Sequence, residues 1–341
     1  MTDGRSLTPV RLGPGRIHVS RVVMGCMWSP TLSEADITRL VHAACDHGIS
    51  SFDTAPLYDF HRSEEMLGRA VADRRSRVQI LTKAGLRWDA EHGQVLFSFH
   101  DAQGRLRAVR KDSRPVSLRG EVEASLRRLG VEHIDLIQVH HPDVVTPIAD
   151  SLGELARMRD AGLIRAIGVS NYSPEQLANA VHALGPSGLD CLQCEYSLVE
   201  RWAEAELLPA CRAAGVGVLA YSPLAKGMLA GTSGWRKRSL GSANRGGSHA
   251  SRLSRAVVQG AVQLALGPLA RSHGVEVGQI ALAWLLAQPG LTGVVVGAST
   301  RAQVISNAAA ADITLSQDEV AEVGARFARL RLPLRILRRI H

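Results

Sequence analysis

The feature that most constrains this chain of 341 residues is a rhythm in which short apolar runs alternate with amphipathic stretches along nearly its whole length. A short apolar run bounded by turn residues reads as a buried strand, and apolar residues recurring at i, i+3 and i+4 read as a helix with one buried face. The first strand falls near Arg21–Met24, followed by a helix from Ser33 to His47, a strand at Ser50–Asp53 and a helix from Ser63 to Asp73. Val78–Thr82 is a strand running into Lys83; after a long insertion come a helix from Ser117 to Leu129 and the strand Ile134–Val139. Pro147–Ala161 is helical, Ile164–Val169 a strand, and Ser173-Pro174 opens the next helix. Leu189–Gln193, helix Trp202–Ala214 and strand Val216–Ala220 follow. A helix from Ala256 to Ala287, broken near Gly274–Val277, then leads to strand Val294–Val296 and helix Arg301–Ala310. Eight strand–helix units joined by right-handed crossovers close most simply into a parallel barrel, so the expected fold is α/β, a (β/α)8 TIM barrel with long active-site loops. The stretch from Val10 to Ser20, with Gly13-Pro14-Gly15 inside it, reads as an N-terminal β-hairpin capping the barrel bottom.

Local stop and start signals agree with these boundaries. Ser33 with Asp36 three residues on resembles a capping box, Gly48 ends that helix, and the helix opened by Pro147 stops at Gly162. An open doubly wound sheet is the rival architecture, and it is weakened because no strand–helix turn carries Gly-x-Gly-x-x-Gly. Residues 1–341 therefore read as one barrel domain, with 45% hydrophobic residues to fill it. Flexible loops are expected at about 85–115, where Trp88, Phe97 and Phe99 are embedded in polar sequence, and at about 227–254, rich in Gly, Ser and Arg. A basic tail follows from 329 to 341.

The formal net charge of +8 invites a nucleic-acid reading, but the arginines are spread among acids apart from short clusters such as Arg236-Lys237-Arg238. Net charge alone speaks to solubility and steering, so no nucleic-acid partner is expected. Neither a signal-peptide h-region nor a membrane-spanning apolar run is visible, and five scattered cysteines do not make a disulfide framework. A reducing cytoplasm fits. Cys191 and Cys194 match CxxC, yet residues three apart on a strand point to opposite faces, so no metal site is expected there. His140 and His141 diverge for the same reason. No feature marks a self-complementary face, which leaves the oligomeric state open.

Chemistry-bearing residues collect at the strand ends: Asp53 and, just beyond it, Tyr58; Lys83; His140; Ser170 and Asn171; Gln193; then Tyr221, Ser222 and Pro223. Each has an ordinary reading alone, as a cap, a surface lysine or a core histidine. Together they face one mouth, the C-terminal face where barrel enzymes work. A free phenol has a pKa of about 10; a neighbouring ammonium lowers it, and a carboxylate beside that ammonium keeps it charged. A histidine can donate a hydrogen bond to a carbonyl oxygen. Such a set protonates an alkoxide as it forms, while another group delivers hydride to carbon.

With these residues in place the sequence resembles the aldo-keto reductase superfamily. The likeness is carried by Phe52-Asp53-Thr54-Ala55-Pro56-Leu57-Tyr58 with Ser63-Glu64-Glu65-Met66-Leu67-Gly68, by Leu81-Thr82-Lys83, and by Asp135-Leu136-Ile137-Gln138-Val139-His140. Gly168-Val169-Ser170-Asn171-Tyr172 and Ala220-Tyr221-Ser222-Pro223-Leu224 extend it. The resemblance implies reduction of an aldehyde or ketone by a nicotinamide cofactor, NADPH with NADH possible, using a tetrad of Asp53, Tyr58, Lys83 and His140 with Tyr58 as proton donor. It implies that Ser170, Asn171 and Gln193 hold the carboxamide, that Tyr221 stacks on the ring, and that Ser222, Pro223, Leu224 and Lys226 approach the pyrophosphate. It implies that Gly297, Ser299, Thr300, Arg301, Gln303 and Asn307 hold the adenosine end. Departures from the family pattern are Val296 where a proline is usual, Thr300 before Arg301 where a basic residue often follows the serine, and His141 where many relatives carry tryptophan. Trp28, Trp88 and His141 are candidate pocket residues, with Phe97 a further candidate for closing the mouth. Within this reading the alternatives are a dehydrogenase acting on a sugar or polyol alcohol, and a nucleotide-sensing regulatory subunit.

Overall fold

The computed structural model describes residues 9–338 apart from 16, 102, 186–187, 231–258 and 261, and from residue 330 onward only the course of the helix backbone. Most of the stretch from 227 to 254, Arg236-Lys237-Arg238 included, and the side chains of most of the basic tail lie outside the described residues. The chain opens with an antiparallel hairpin, β1 (Val10–Arg11) and β2 (His18–Val19). Strands and helices then alternate: β3 (Val22–Gly25), α1 (Glu34–Asp46), β4 (Ser51–Asp53), α2 (Arg62–Val71) and β5 (Gln79–Ala84). An inserted sheet of β6 (Leu86–Arg87), β7 (Gln94–His100) and β8 (Leu106–Lys111) follows. The alternation resumes with α3 (Pro115–Leu129), β9 (Ile134–Val139), α4 (Ile148–Asp160), β10 (Ile164–Ser170), α5 (Pro174–Leu184) and β11 (Cys191–Glu195). It ends with α6 (Leu207–Ala213), β12 (Gly217–Tyr221), α7 (Gly267–His273), α8 (Val277–Leu286), β13 (Gly293–Gly297), α9 (Arg301–Ala309) and α10 (Gln317–Arg338).

Eight strands, β3, β4, β5 and β9 through β13, pair in parallel and close into a barrel. This is the (β/α)8 fold expected from the periodicity. Consecutive residues on a strand face opposite sides, and the two apolar clusters show it. Val23, Leu81, Leu136, Ala166, Cys191, Leu219 and Val295 fill the interior with hairpin residues Leu12, Ile17 and Val19. Their chain neighbours Met24, Ile80, Ile137, Ile167, Leu192, Val218 and Val294 belong to the larger cluster shared with the helices. The same alternation separates Cys191 in the inner cluster from Cys194 in the outer one. Each fully buried Leu, Ile or Val contributes about 1.5–3 kcal/mol, so both layers matter to stability.

The hairpin depends on a glycine. Gly13 has φ +63°, and a Cβ there would lie 2.1 Å from the Asp190 carbonyl oxygen at the start of β11. No other residue fits that approach. The capping box read at Ser33 and Asp36 is formed in both directions, and the break in the long helix falls between α7 and α8.

Two expectations change. The stretch read as a loop at about 85–115 is folded into the three-stranded antiparallel sheet β6-β8-β7. Its alternation of Val95, Phe97 and Phe99, bounded by Gly93 and Gly104 with positive φ, is a hairpin signal masked by the polar composition around it. The helix expected continuously from Trp202 is a 3-10 turn at Trp202–Glu204 followed by α6, whose first turn contains Pro209, where no amide donor is required.

Candidate active site

Strand register sets the rim. Gly25 pairs with Asp53 and with Gly297, Lys83 with Gln138, Ser170 with Gln193, and Glu195 with Tyr221. The C-terminal ends of all eight strands therefore surround one mouth. Beyond β4 the chain turns back on itself: the Thr54 N–H donates to the Leu81 carbonyl at 2.8 Å and the Tyr58 N–H to the Ala55 carbonyl at 3.0 Å. This turn carries Tyr58 over the strand ends.

There Lys83 gathers its partners. Its Nζ donates to Asp53 Oδ1 at 2.5 Å, to the Thr54 carbonyl at 3.0 Å and to the Tyr58 hydroxyl at 3.2 Å, and it lies 4.9 Å from the Tyr58 ring centroid. The Tyr58 and His140 rings meet edge to face with centroids 5.9 Å apart and planes at 82°. The four residues named from the sequence thus converge, although 87 positions separate the first from the last by number, Asp53 to His140.

The electrostatics differ from the expectation in one respect. Lys83 was expected to lower the Tyr58 pKa, yet the phenol lies above its ordinary value: burial raises it, Lys83 pulls it down, and Asp53 pushes it up again. The reason is that desolvation penalises phenolate most, while Asp53 opposes the ammonium's field at the phenol. Tyr58 is therefore a neutral phenol that still carries its proton. Burial pulls Lys83 down, but Asp53 and Tyr58 together hold it above its usual value, so it stays charged. Burial and the Lys83 charge push His140 well below the usual histidine range, which leaves a neutral imidazole.

The other oxygen of Asp53 is held by two amides that close a small network. Gln193 Nε2 donates to Asp53 Oδ2 at 2.9 Å and to Gln138 Oε1 at 3.2 Å, and Gln138 Nε2 donates to Asp53 Oδ2 at 3.3 Å. Gln138 lies within the stretch Asp135–His140, and the sequence alone gives it no role. The available signal was its place on β9, two residues before His140, where its side chain faces the barrel interior like that of Leu136. Room for it comes from Gly168, where a Cβ would stand 2.9 Å from Gln138 Cγ. Behind the Lys83 strand, Thr82 donates to the fully buried Glu64 at 2.7 Å, and Arg128 pairs with the same carboxylate at 2.7 Å.

The residues expected at a cofactor fall into three groups. Asn171, in a left-handed conformation with φ 64°, donates to the His140 carbonyl and to Ser170 Oγ, each at 3.1 Å. Its Oδ1 accepts from the Tyr221 hydroxyl at 2.9 Å, so the half-buried Tyr221 ring is fixed at the mouth. Ser170 in turn donates to the Gln193 carbonyl at 3.1 Å. The second group is the turn after β12, where Ser222, Ala225 and Lys226 all have positive φ and Lys226 is exposed beside buried Pro223 and half-buried Leu224. The third is the start of α9. Thr300 caps it by accepting from the Gln303 N–H, the Gln303 side chain accepts from the Ser299 N–H at 2.8 Å, and Arg301 is exposed in its first turn. Buried Asn307 donates to the Gly297 carbonyl at 3.5 Å. An anchored aromatic ring, a cationic turn and a helix N-terminus suit the ring, pyrophosphate and phosphate of a nicotinamide dinucleotide.

The pocket candidates separate. Trp28 is buried in the outer core, and its indole N–H has no hydrogen-bond partner among the described residues. His141 is half-buried and its Nδ1 has no hydrogen-bond partner among the described residues; burial and Lys111 of the inserted sheet lower its pKa. Trp88 packs on His61 and Phe60, while Phe97 remains 47% exposed with its ring centroid 6.5 Å from that of Phe99. Glu121 of α3 was missed. It accepts from the Gly85 N–H, just beyond Lys83, and burial pushes its pKa up to about 8.

A family model described as the aldo/keto reductase family matches residues 21–325. The chain is 33% identical to the NADH-specific methylglyoxal reductase of Escherichia coli (strain K12) over 90% of its own length and 94% of that protein. It is 30% identical to the probable aldo-keto reductase 1 of Glycine max, over 93% and 88% of the two chains. Among solved structures, the glycerol dehydrogenase from Gluconobacter oxydans superposes with a TM-score of 0.78 at 34% identity, covering 96% of each chain. An aldo-keto reductase from Bacillus halodurans in its holo form gives 0.75 at 25% identity, covering 94% and 96%.

Proposed function

The chain belongs to the aldo/keto reductase family, an oxidoreductase reducing a carbonyl with a nicotinamide cofactor, and from that premise we propose the roles of its residues. A bound dihydronicotinamide supplies hydride to the carbonyl carbon, so that one hydride and one proton convert carbonyl to alcohol. Tyr58 gives the proton to the oxygen as charge develops there. Lys83, 3.2 Å from that hydroxyl, stabilises the phenolate left behind, and Asp53 keeps Lys83 charged and aimed. The neutral His140 retains an N–H to donate to the carbonyl oxygen, which sets its direction against Tyr58. The observation that carries this reading is the single ammonium shared by Asp53 and Tyr58, with His140 edge-on to the phenol.

Tyr221, tethered by Asn171, offers its ring to the nicotinamide, and Ser170, Asn171 and Gln193 take the carboxamide. The Gln193 amide nitrogen is committed to Asp53 and Gln138, so its Oε1 would meet the carboxamide as an acceptor. Ser222, Pro223, Leu224 and Lys226 take the pyrophosphate. Gly297, Ser299, Thr300, Gln303 and Asn307 take the adenosine, with exposed Arg301 at the helix start as partner of a 2′-phosphate; this supports NADPH. A second reading, NADH, is favoured by the name of the Escherichia coli relative. The glycerol dehydrogenase neighbour likewise favours the reverse direction, oxidation of an alcohol at the same site. Among the described residues no helix is long and apolar enough to cross a membrane, and all five cysteines are free.

The test is a titration of the protein with NADPH and NADH by tryptophan fluorescence, followed by a panel of aldehydes with whichever binds. Aldehyde-dependent oxidation of the nucleotide is expected, and Arg301→Ala should weaken NADPH about tenfold while leaving NADH within twofold. Equal losses for both nucleotides remove Arg301 from phosphate recognition. Binding of neither nucleotide ends the site assignment.

A further inference from the structure

Close along the chain to Tyr58 lies an aromatic surface that proton transfer does not use. Phe60 follows Tyr58 by two residues, and two residues span at most about 7 Å of backbone. Asp59, Phe60 and His61 have φ of 48°, 50° and 77°, three consecutive left-handed residues, none of them glycine. Such conformations persist only where the surroundings over-determine them, and they cluster at ligand clamps. Here the His61 N–H donates to the Pro56 carbonyl at 2.8 Å and Arg62 pairs with Asp59 at 2.9 Å. The turn holds Phe60 50% exposed instead of burying it.

The inserted sheet completes the surface. Phe60 stacks on Phe99 with ring centroids 5.2 Å apart and planes at 27°, and meets Trp88 edge-on at 5.4 Å and 69°. The three rings line a cleft of about 350 Å³ with Asp89, Asp101 and Arg107. Its charges are already paired: Asp101 holds Arg105 and Arg107, and Asp89 holds Arg87. An incoming group therefore meets ring faces and edges and the Gln103 amide, whose oxygen already accepts from Arg105, with no unpaired carboxylate to bind a cation. Three ring surfaces thus line one cleft, and one of its walls, Phe60, lies two residues along the chain from Tyr58.

We propose that this cleft is a subsite for a planar aromatic ring carried by the substrate away from its reacting carbonyl, with Phe60, Phe99 and Trp88 as its walls. The inference rests on the reductase reading and names its substrate class, an aryl-bearing aldehyde or ketone. Butanal and 4-phenylbutanal share the reacting group and differ only by the phenyl ring. The protein should prefer the phenyl compound in kcat/KM by about tenfold or more, the size of a stacked-ring contact with its buried area. Phe99→Ala should remove that preference through KM while the constants for butanal stay within twofold. Phe60→Leu, which keeps an apolar side chain in the turn, should reduce it in the same direction.

A preference near one, or a preference that survives both substitutions, overturns the subsite even though turnover of butanal leaves the reductase reading standing. Light scattering that shows a stable dimer, lost in Phe99→Ala, overturns it too, since the rings would then seat a second copy. If neither aldehyde is turned over with either nucleotide, the reductase reading fails by itself. The cleft is then decided by equilibrium binding of 4-phenylbutan-1-ol, read by saturation-transfer NMR. Binding lost in Phe99→Ala upholds the subsite, and absence of binding to the unaltered protein ends it.

Discussion

At the bottom of the barrel the hairpin sets Leu12, Ile17 and Val19 against Val23, Leu136 and Leu219, all buried and apolar. At the top the same sheet of strands ends in Asp53, Lys83, Gln138 and Gln193, all nearly or fully buried and all polar. The bottom gains stability from every residue it hides. The top hides a charge pair and an amide network, which costs desolvation for each charge and repays it only through well-formed hydrogen bonds. The difference shows one barrel divided into an end that holds the fold and an end that performs chemistry, and the two ends should respond to substitution in opposite ways.

The largest expected effect is at the top. Tyr58→Phe removes the proposed proton donor and should lower kcat about a thousandfold, with nucleotide binding and thermal stability nearly unchanged; wild-type turnover in that variant would displace Tyr58 from its role. The matching change at the bottom is Leu12→Ala. It should cost about 2–5 kcal/mol in denaturant unfolding and leave kcat/KM untouched where the protein is folded. If activity and stability fell together in either variant, the division between the ends would not hold.

Next come the two buried carboxyls, one near each end. Glu121 keeps its proton to about 8 in the folded state against 4.5 when unfolded, and Asp190, beside Gly13, keeps its proton to about 6 against 3.8. In both cases the unfolded state loses its proton first, so stability falls as pH rises from the lower value to the higher and levels off above it. The Glu121 slope should span pH 4.5–8 and amount to about 5 kcal/mol at most; Glu121→Gln should flatten it. Asp190→Asn should flatten only the part below pH 6. Unfolding curves at several pH values separate the two. The smallest effect is Gln138→Leu, expected to lower kcat about tenfold by loosening Asp53, with cofactor affinity changing less; an unchanged kcat would make Gln138 a packing residue.

Much of this was legible in one dimension. The alternation that placed Val22–Gly25, Gln79–Ala84 and Ile134–Val139 on strands depends on where successive Cβ atoms point, a property of the local chain. The positions of Asp53, Lys83 and His140 at strand ends followed from it. Less visible was the inserted sheet: Val95, Phe97 and Phe99 alternate as a strand should, but no apolar face of it belongs to the barrel core, so the stretch looked like a loop. Gln138 was hidden for another reason, since a glutamine on a strand gives no sign of the carboxylate that it will meet across the barrel.

The sequence by itself determined the barrel, its bottom plug and the set of residues brought to the mouth, because strand and helix periods and turn residues act over a few positions at a time. Only the tertiary structure decided what those residues are chemically. Tyr58 is a neutral phenol and not a ready phenolate because burial and Asp53 outweigh Lys83 there. That balance sums desolvation and charge over groups distant in the chain, and it has a value only once the fold has placed them within a few ångströms of one another.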